Sequence, residues 1–316
     1  MIKVAVTDIE YNKAAEVFKN SENFACLSAP TPEAELAHFI KKNNIAYAIV
    51  GVDQYQRALY DALPPNGVIA RFGVGHDSID KIAAKTRGIH CTNTPGALDD
   101  SVAECTIALI LTAARNLIAC ATNNSNGIWK NQVGFELTGK TIAIIGYGNI
   151  GRKVAKIAQA GFGMNVIGYG RTEPQNRNHL NSFTTDFVEA VKDADFVSIH
   201  IPDNPVTADF INSQRLIQMK SSAILINTAR GGVVDEAAIY DAVKNGVIAG
   251  AALDVFKNEP YKAQNADKDL RTLDTIIMTP HIGSSTVEAC KRMALAALNN
   301  IQLAVDGHFN EMNIIV

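Results

Sequence analysis

The chain of 316 residues has no long hydrophobic run, no excess of basic residues and no cysteine pair motif. The first absence excludes a membrane-spanning helix, which needs ~20 consecutive apolar residues. The second removes the electrostatic footprint of a nucleic-acid binder, since the formal net charge is -3. Five cysteines (Cys26, Cys91, Cys105, Cys120 and Cys290) are scattered and odd in number, with neither Cys-x-x-Cys nor metal-ligand spacing. They read as small buried thiols of a reducing compartment. The opening Met1–Thr7 has a strand pattern, too short and wrongly flanked for a signal peptide, so a cytoplasmic protein is expected. A G-x-S-x-G elbow is missing, which argues against a Ser-His-Asp hydrolase. No His/Cys/carboxylate cluster has metal spacing, so no metal is expected. Internal repeats, heptads and low-complexity tracts are also lacking. Trp129 is the single tryptophan, and reads as packing or subunit interface.

What is present is a 47% hydrophobic chain in which short β-branched runs alternate with helix-like segments. Expected strands are Lys3–Thr7, Ala46–Gly51, Val68–Arg71, Thr141–Ile145, Asn165–Tyr169, Phe196–His200, Ala223–Asn227, Ile248–Leu253 and Thr275–Thr279. Near-continuous apolar runs suit parallel strands buried on both faces, and the alternation indicates doubly wound α/β units. One long helix is expected from Ser101 to about Thr122, with Ser101 and Glu104 as a capping box. Gly146-Tyr-Gly148-Asn149-Ile150-Gly151 follows a strand and opens a helix-like run, the context in which G-x-G-x-x-G marks a dinucleotide site. Gly146 permits the tight turn, Gly148 admits the pyrophosphate, and Gly151 allows helix and strand to pack. N–H groups at the helix start then face phosphate. The acid that holds the adenine ribose in NAD sites is absent. Gly170 occupies its place, followed by Arg171 and Thr172. A guanidinium suits a 2′-phosphate, so NADP is favoured and NAD stays open.

Three ionisable residues downstream fit hydride transfer to a keto acid. Arg230, after a strand end, can orient a carboxylate and polarise the adjacent carbonyl. His281 can give and take a proton near neutrality. Glu259 would pair with it, orienting the ring and favouring its protonated form.

The segments Arg71-Phe-Gly-Val-Gly-His-Asp-Ser-Ile-Asp80, Asn93-Thr-Pro-Gly96, Ser101-Val-Ala-Glu104, Leu225–Glu236, Ala252–Phe256 with Glu259-Pro260, and Thr279-Pro-His-Ile-Gly-Ser-Ser285 occur in this order. With them the chain resembles the D-isomer-specific 2-hydroxyacid dehydrogenase family over nearly its whole length, most strongly from Arg71 to Ser285. The resemblance implies an NAD(P)-dependent reductase of a small 2-keto acid such as glyoxylate or hydroxypyruvate. Two rivals stay open: an NAD-dependent D-3-phosphoglycerate dehydrogenase and a non-catalytic dinucleotide-sensing corepressor. The implied fold is a doubly wound Rossmann domain (99–284) inserted into a smaller flavodoxin-like substrate domain (1–98 and 285–316), with the active site in the cleft between them. Further cofactor contacts carried over are Asp254 at the carboxamide, His200, Pro202 and Thr207 at the adenosine side, Thr228, Ala229 and Arg230 at the nicotinamide, and His281 and Gly283 nearby. A hydrogen-bonded structural role for His200 stays open. Gly73, Val74 and Gly75 resemble the loop that cradles the substrate carboxylate, together with Arg230 and His281. Tyr55, after the strand Ala46–Gly51, is expected to meet the substrate side chain. Asp53 and Gln54 disfavour a phosphorylated substrate, and the end at Val316 leaves no appended regulatory domain. A homodimer is implied, with Val102–Ala121, including Leu109, Ile110 and Leu111, as its candidate surface and burial within the monomer as the competing reading.

Overall fold

The computed structural model describes residues 1–316. The chain forms two compact units, Met1–Leu98 with Ser284–Val316, and Asp99–Gly283.

In the first unit, strands β1 (Ile2–Thr7), β2 (Phe24–Ala29), β3 (Tyr47–Val50), β4 (Val68–Arg71) and β5 (His90–Thr92) form a parallel sheet of order β2-β1-β3-β4-β5. Leu36, Ile40, Ala48, Val50, Leu59, Tyr60 and Ile69 make the core on one side. The helix Val287–Val305 packs on β4. The final residues run antiparallel beside β5: Ile315 N–H donates to Cys91 O and Cys91 N–H to Val316 O, both at 2.8 Å.

In the second unit, β6 (Thr141–Ile145), β7 (Asn165–Tyr169), β8 (Ser182–Thr184), β9 (Phe196–Ile199), β10 (Ile224–Asn227), β11 (Gly250–Leu253) and β12 (Ile276–Met278) form a parallel sheet of order β12-β11-β10-β9-β6-β7-β8. Residues alternate between two cores. Ile142, Ile144, Val166 and Ile226 pack with the helices Asp99–Ala114 and Asn149–Phe162. Ala143, Ile145, Val197 and Leu225 pack with Phe187, Ala238 and Ile239 on the opposite face. Burial on both faces is why these strands read as unbroken apolar runs. The order reverses beside β6, and such switch points place ligands at the carboxyl ends of the strands.

Strands β2, β5 and β8 were not expected from the sequence; all three lie at sheet edges. The long helix also differs from expectation. It starts at Asp99 and breaks at Asn116, which has left-handed backbone (φ 52), and then bends by 66° into Leu117–Ser125. Ser101 therefore lies inside the helix, and its hydroxyl donates to Gly283 O at 2.7 Å instead of capping. Leu109 and Ile110 pack into the core of their own unit, with Leu111 against it, so the burial reading holds for them and not the subunit surface. No single helix is long and apolar enough to cross a membrane.

Candidate active site

Strand β6 delivers the chain into Gly146, whose φ is +104 and where a Cβ would fall 2.6 Å from His200 O. At Gly151 a Cβ would fall 2.2 Å from Gly146 O. Both glycines are required because backbone lies against them. Gly148 is different: nothing lies within 4 Å of its Cβ position. It caps the helix Asn149–Phe162 without any side-chain hydrogen bond. The first amides of that helix, from Asn149 and Ile150 on, thus have no side-chain cap and stand beside open space at Gly148, the arrangement that binds a phosphate. The residues present fit a dinucleotide.

Gly170 follows β7 directly, and the side chains of Arg171 and Thr172 are exposed beyond it. His200 directly follows β9, its Nε2 2.8 Å from Ser198 Oγ, and burial pushes its pKa down to about 3. It is a neutral, hydrogen-bonded ring at physiological pH. Thr207 Oγ1 donates to Pro202 O at 2.6 Å and accepts from Asn204 N at 3.0 Å, so its hydroxyl closes this loop.

Arg230 sits three residues beyond β10 on a turn braced by the buried Asn227. Asn227 Nδ2 donates to Arg230 O at 2.9 Å, and its Oδ1 accepts from Ala229 N at 3.0 Å. Arg230 Nη1 donates to Ala229 O at 2.7 Å. Thr228 is buried, its hydroxyl 2.8 Å from that of Thr106. A Cβ on Gly231 would fall 1.9 Å from Phe256 C, and one on Gly232 2.0 Å from Asp203 Oδ2. The close approach that this glycine pair allows is made by the chain itself.

His281 Nδ1 lies 2.6 Å from Glu259 Oε2, while Glu259 Oε1 accepts from Phe256 N at 3.0 Å. Burial pushes the Glu259 carboxyl up. The hydrogen bond and charge of His281, the Phe256 N–H and the charge of Arg230 outweigh this and hold it below its ordinary value. Arg230, Glu259 and His281 therefore form one electrostatic group. His281 itself has left-handed backbone, φ 53, with its N–H pointing at Asp254 O (2.9 Å) and Thr279 O (3.0 Å). Such geometry in a non-glycine residue persists only where its surroundings impose it.

Asp254 imposes it. This carboxylate is 1% exposed. Its Oδ1 accepts from Thr279 Oγ1 (2.6 Å) and Ile282 N (2.9 Å), and its Oδ2 from Gly283 N (2.8 Å). Its carboxylate knots the loop that carries His281, a role the sequence did not disclose. Asn227 and Thr279 were likewise missed. The available signal was a polar residue at the end of an apolar strand, where burial demands a hydrogen-bond partner.

In the first unit the loop Gly73–Gly75 follows β4. Gly73 has φ +144, and a Cβ there would fall 2.7 Å from Arg71 Nη1. Thr94 N donates to Gly73 O (3.0 Å) and Asn93 Nδ2 to Val74 O (2.8 Å), so two carbonyls of this loop are held from within their own unit. Tyr55 corrects the sequence reading. It is 2% exposed, packed in the core, with its hydroxyl directed at Thr31 O at 3.3 Å. Its ring is consumed by folding, so it does not present a surface to substrate. Val52 is the exposed apolar side chain after β3.

A family profile described as D-isomer specific 2-hydroxyacid dehydrogenase, NAD binding domain, matches residues 107–283. The chain is 39% identical over 303 residues to the glyoxylate reductase of Thermococcus litoralis, covering 92% of this chain and 89% of that protein. It is 39% identical over 315 residues to the D-3-phosphoglycerate dehydrogenase of Methanocaldococcus jannaschii, covering 98% of this chain but 59% of that one. Among solved structures, the NADPH-dependent glyoxylate/hydroxypyruvate reductase of Sinorhizobium meliloti superposes with a TM-score of 0.83 at 27% identity, covering 96% of this chain and 94% of that one.

Proposed function

Because the chain belongs to the D-isomer-specific 2-hydroxyacid dehydrogenase family, we propose that it reduces glyoxylate or hydroxypyruvate to the corresponding D-2-hydroxy acid, with NADPH preferred. Membership makes it an oxidoreductase that uses a nicotinamide dinucleotide. The observation that carries the reading is the His281–Glu259 pair at 2.6 Å with Arg230 electrostatically coupled to it.

Arg230 orients the carboxylate of the keto acid and polarises the neighbouring carbonyl. Glu259, held anionic, receives the Nδ1–H of His281 and fixes its ring. Nε2 then holds the proton that passes to the carbonyl oxygen. The nicotinamide, when bound, supplies the hydride. The amides after Gly148 would hold the pyrophosphate, and the carboxamide end would be held by Asp254 and the backbone of Thr228 and Ala229. NADPH is favoured by the missing carboxylate at Gly170 and by the exposed Arg171 and Thr172, which offer a guanidinium and a hydroxyl to a 2′-phosphate. The small keto acid is favoured by the relatives named glyoxylate reductase and glyoxylate/hydroxypyruvate reductase.

A homodimer completes the reading. Leu117, Ile118, Ile128, Val133 and Trp129, the last 94% exposed, leave apolar surface on one stretch of the second unit. Exposed apolar side chains grouped in this way suit association with a second copy. Sedimentation should give a dimer, and Trp129→Ser should shift it toward monomer; a monomeric wild type overturns this part.

The deciding experiment is oxidation of NADPH and NADH, in parallel, against glyoxylate, hydroxypyruvate, pyruvate, bulkier 2-keto acids and phosphohydroxypyruvate. Turnover of glyoxylate or hydroxypyruvate with NADPH is expected. Activity confined to phosphohydroxypyruvate with NADH would favour the phosphoglycerate dehydrogenase alternative. Tight nucleotide binding with no turnover would favour a sensing role.

A further inference from the structure

One buried carboxylate has no part in that chemistry. Glu236 is the first residue of the helix Glu236–Lys244, after the cap Asp235, and is 6% exposed. Its Oε1 accepts the N–H of Lys257 at 2.7 Å, and its Oε2 is buried with no hydrogen-bond partner. The preceding amide, Phe256 N–H, is held by Glu259 Oε1 at 3.0 Å. Two carboxylates thus grip two consecutive amides, Glu236 from the helix and Glu259 from within the loop. The second oxygen of Glu259 meets His281 Nδ1 at 2.6 Å. Beneath the same turn lies Gly231, whose missing Cβ would fall 1.9 Å from Phe256 C. The Phe256–Lys257 turn therefore abuts both the residue after Arg230 and the partner of His281.

We propose that Glu236 is the positioning residue of this site: it pins the Phe256–Lys257 turn, and through that turn sets Glu259 against His281. The proposal rests on the reading of His281 as proton donor. The physical case is the cost of the arrangement. A carboxylate buried with one oxygen unsatisfied is a destabilising choice for a helix start. What the fold gains for it is a single bond, to the amide that fixes the loop. Burial pushes the Glu236 carboxyl up, opposed by the Lys257 N–H and ammonium, with Asp235 and Asp209 reinforcing the rise. Lys257 is itself paired with Asp209, and the Tyr261 hydroxyl, raised chiefly by burial, is raised further by the charges of Asp269 and Glu236. The bond to Lys257 N–H needs only a carbonyl-type oxygen at Oε1, so an amide should replace the acid.

The test compares Glu236→Gln, Glu236→Ala and Glu236→Asp with wild type. E236Q should keep the acceptor and stay near wild-type kcat. E236A should lose roughly 10²-fold in kcat, the scale of a ~1 Å misplacement, with KM and nucleotide Kd little changed. The solvent deuterium isotope effect on kcat should rise in E236A and stay at the wild-type value in E236Q, because proton transfer is the step that is mispositioned. An isotope effect does not depend on how much of the protein is folded. Should E236A not fold, E236D, which withdraws the acceptor by one methylene, should show the same rise. The downfield proton resonance of His281 Nδ1–H reads the hydrogen bond without turnover; it should persist in E236Q and be lost or shifted upfield in E236A and E236D. Identical resonances in all variants, or E236Q falling as far as E236A, would overturn the assignment. A wild type inactive on every keto acid would sink the functional reading instead, and the resonance would still decide the role of Glu236.

Discussion

The loop after β6 and the loops after β10, β11 and β12 stand at the same edge of one sheet and are built in opposite ways. The first has an uncapped helix start and a glycine facing open space, and its one charged brace is the exposed Arg152, whose Nε donates to Tyr147 O at 3.3 Å. The others are crowded with buried or half-buried carboxylates, Glu236, Asp254 and Glu259, each of which holds backbone amides. On the proposed function, the open loop would receive an anionic cofactor, and the braced loops would aim a proton and a guanidinium by over-determining their positions. Substitutions in the two regions should therefore separate binding from rate.

The largest effect is expected at His281. His281→Asn should reduce turnover by about 10²–10⁴-fold, the usual contribution of a general acid–base, with nucleotide Kd unchanged. A wild-type rate would remove its role as proton donor. Next is Arg230→Lys, which keeps the charge and loses the fork. A loss of about 10–10²-fold in kcat/KM is expected, on the ~1.5–3 kcal/mol of a charge-assisted hydrogen bond. Steady-state kinetics with unchanged kcat/KM would place the substrate carboxylate elsewhere.

The glycine loop sharpens the contrast from the other side. Gly148→Leu has room in the protein and should leave the thermal midpoint alone while weakening nucleotide binding. Gly151→Ala should lower the midpoint, since its Cβ would meet Gly146 O at 2.2 Å. Calorimetry and nucleotide titration of both variants check this; equal effects on stability would mean that the space at Gly148 is not a cradle. Arg171→Ala should weaken NADPH by about tenfold, again on the scale of one charged hydrogen bond, and leave NADH nearly unaffected. Equal losses for both nucleotides would remove the case for NADP.

The smallest effect concerns pH. The folded-state carboxyl of Glu259 lies below its unfolded value. Its contribution to stability is present above the ordinary glutamate range, near ~4.3, and is lost as pH falls through the lower folded value. In His281→Asn the largest lowering influence disappears while burial still raises, so that loss should begin at higher pH. Unfolding free energies across the acid range test this, and identical profiles would count against the pairing.

How much was legible in the sequence follows from burial. Central strands such as β6, β9 and β10 are covered on both faces, so their apolar runs are continuous and were read correctly. The edge strands β2 and β8 are only partly covered and carry mixed patterns that resemble loop, while β5 is buried but only three residues long, too short to show a pattern. Glycine spacing reports backbone shape directly, so the strand–turn–helix around Gly146–Gly151 could be read. Tyr55 shows the opposite case: its position after a strand end suggested the substrate, but sequence could not say that its ring turns into the core. Asp254 was assigned to the cofactor alone because hydrogen bonds to residues 25 to 29 positions away leave no trace in spacing. Of the fold, the doubly wound α/β class and the glycine turn could be read; the bracing of the loops that carry Arg230, Glu259 and His281 could not.

Gly283 is the last residue of its unit, and both sides of it are tethered there: its N–H by Asp254 and its carbonyl by Ser101. It works as a strain relief, like the clamp on a cable where it enters a housing. The backbone two residues beyond His281 is held at both its N–H and its carbonyl, so the loop that carries the imidazole is anchored at its far end as well as at Asp254.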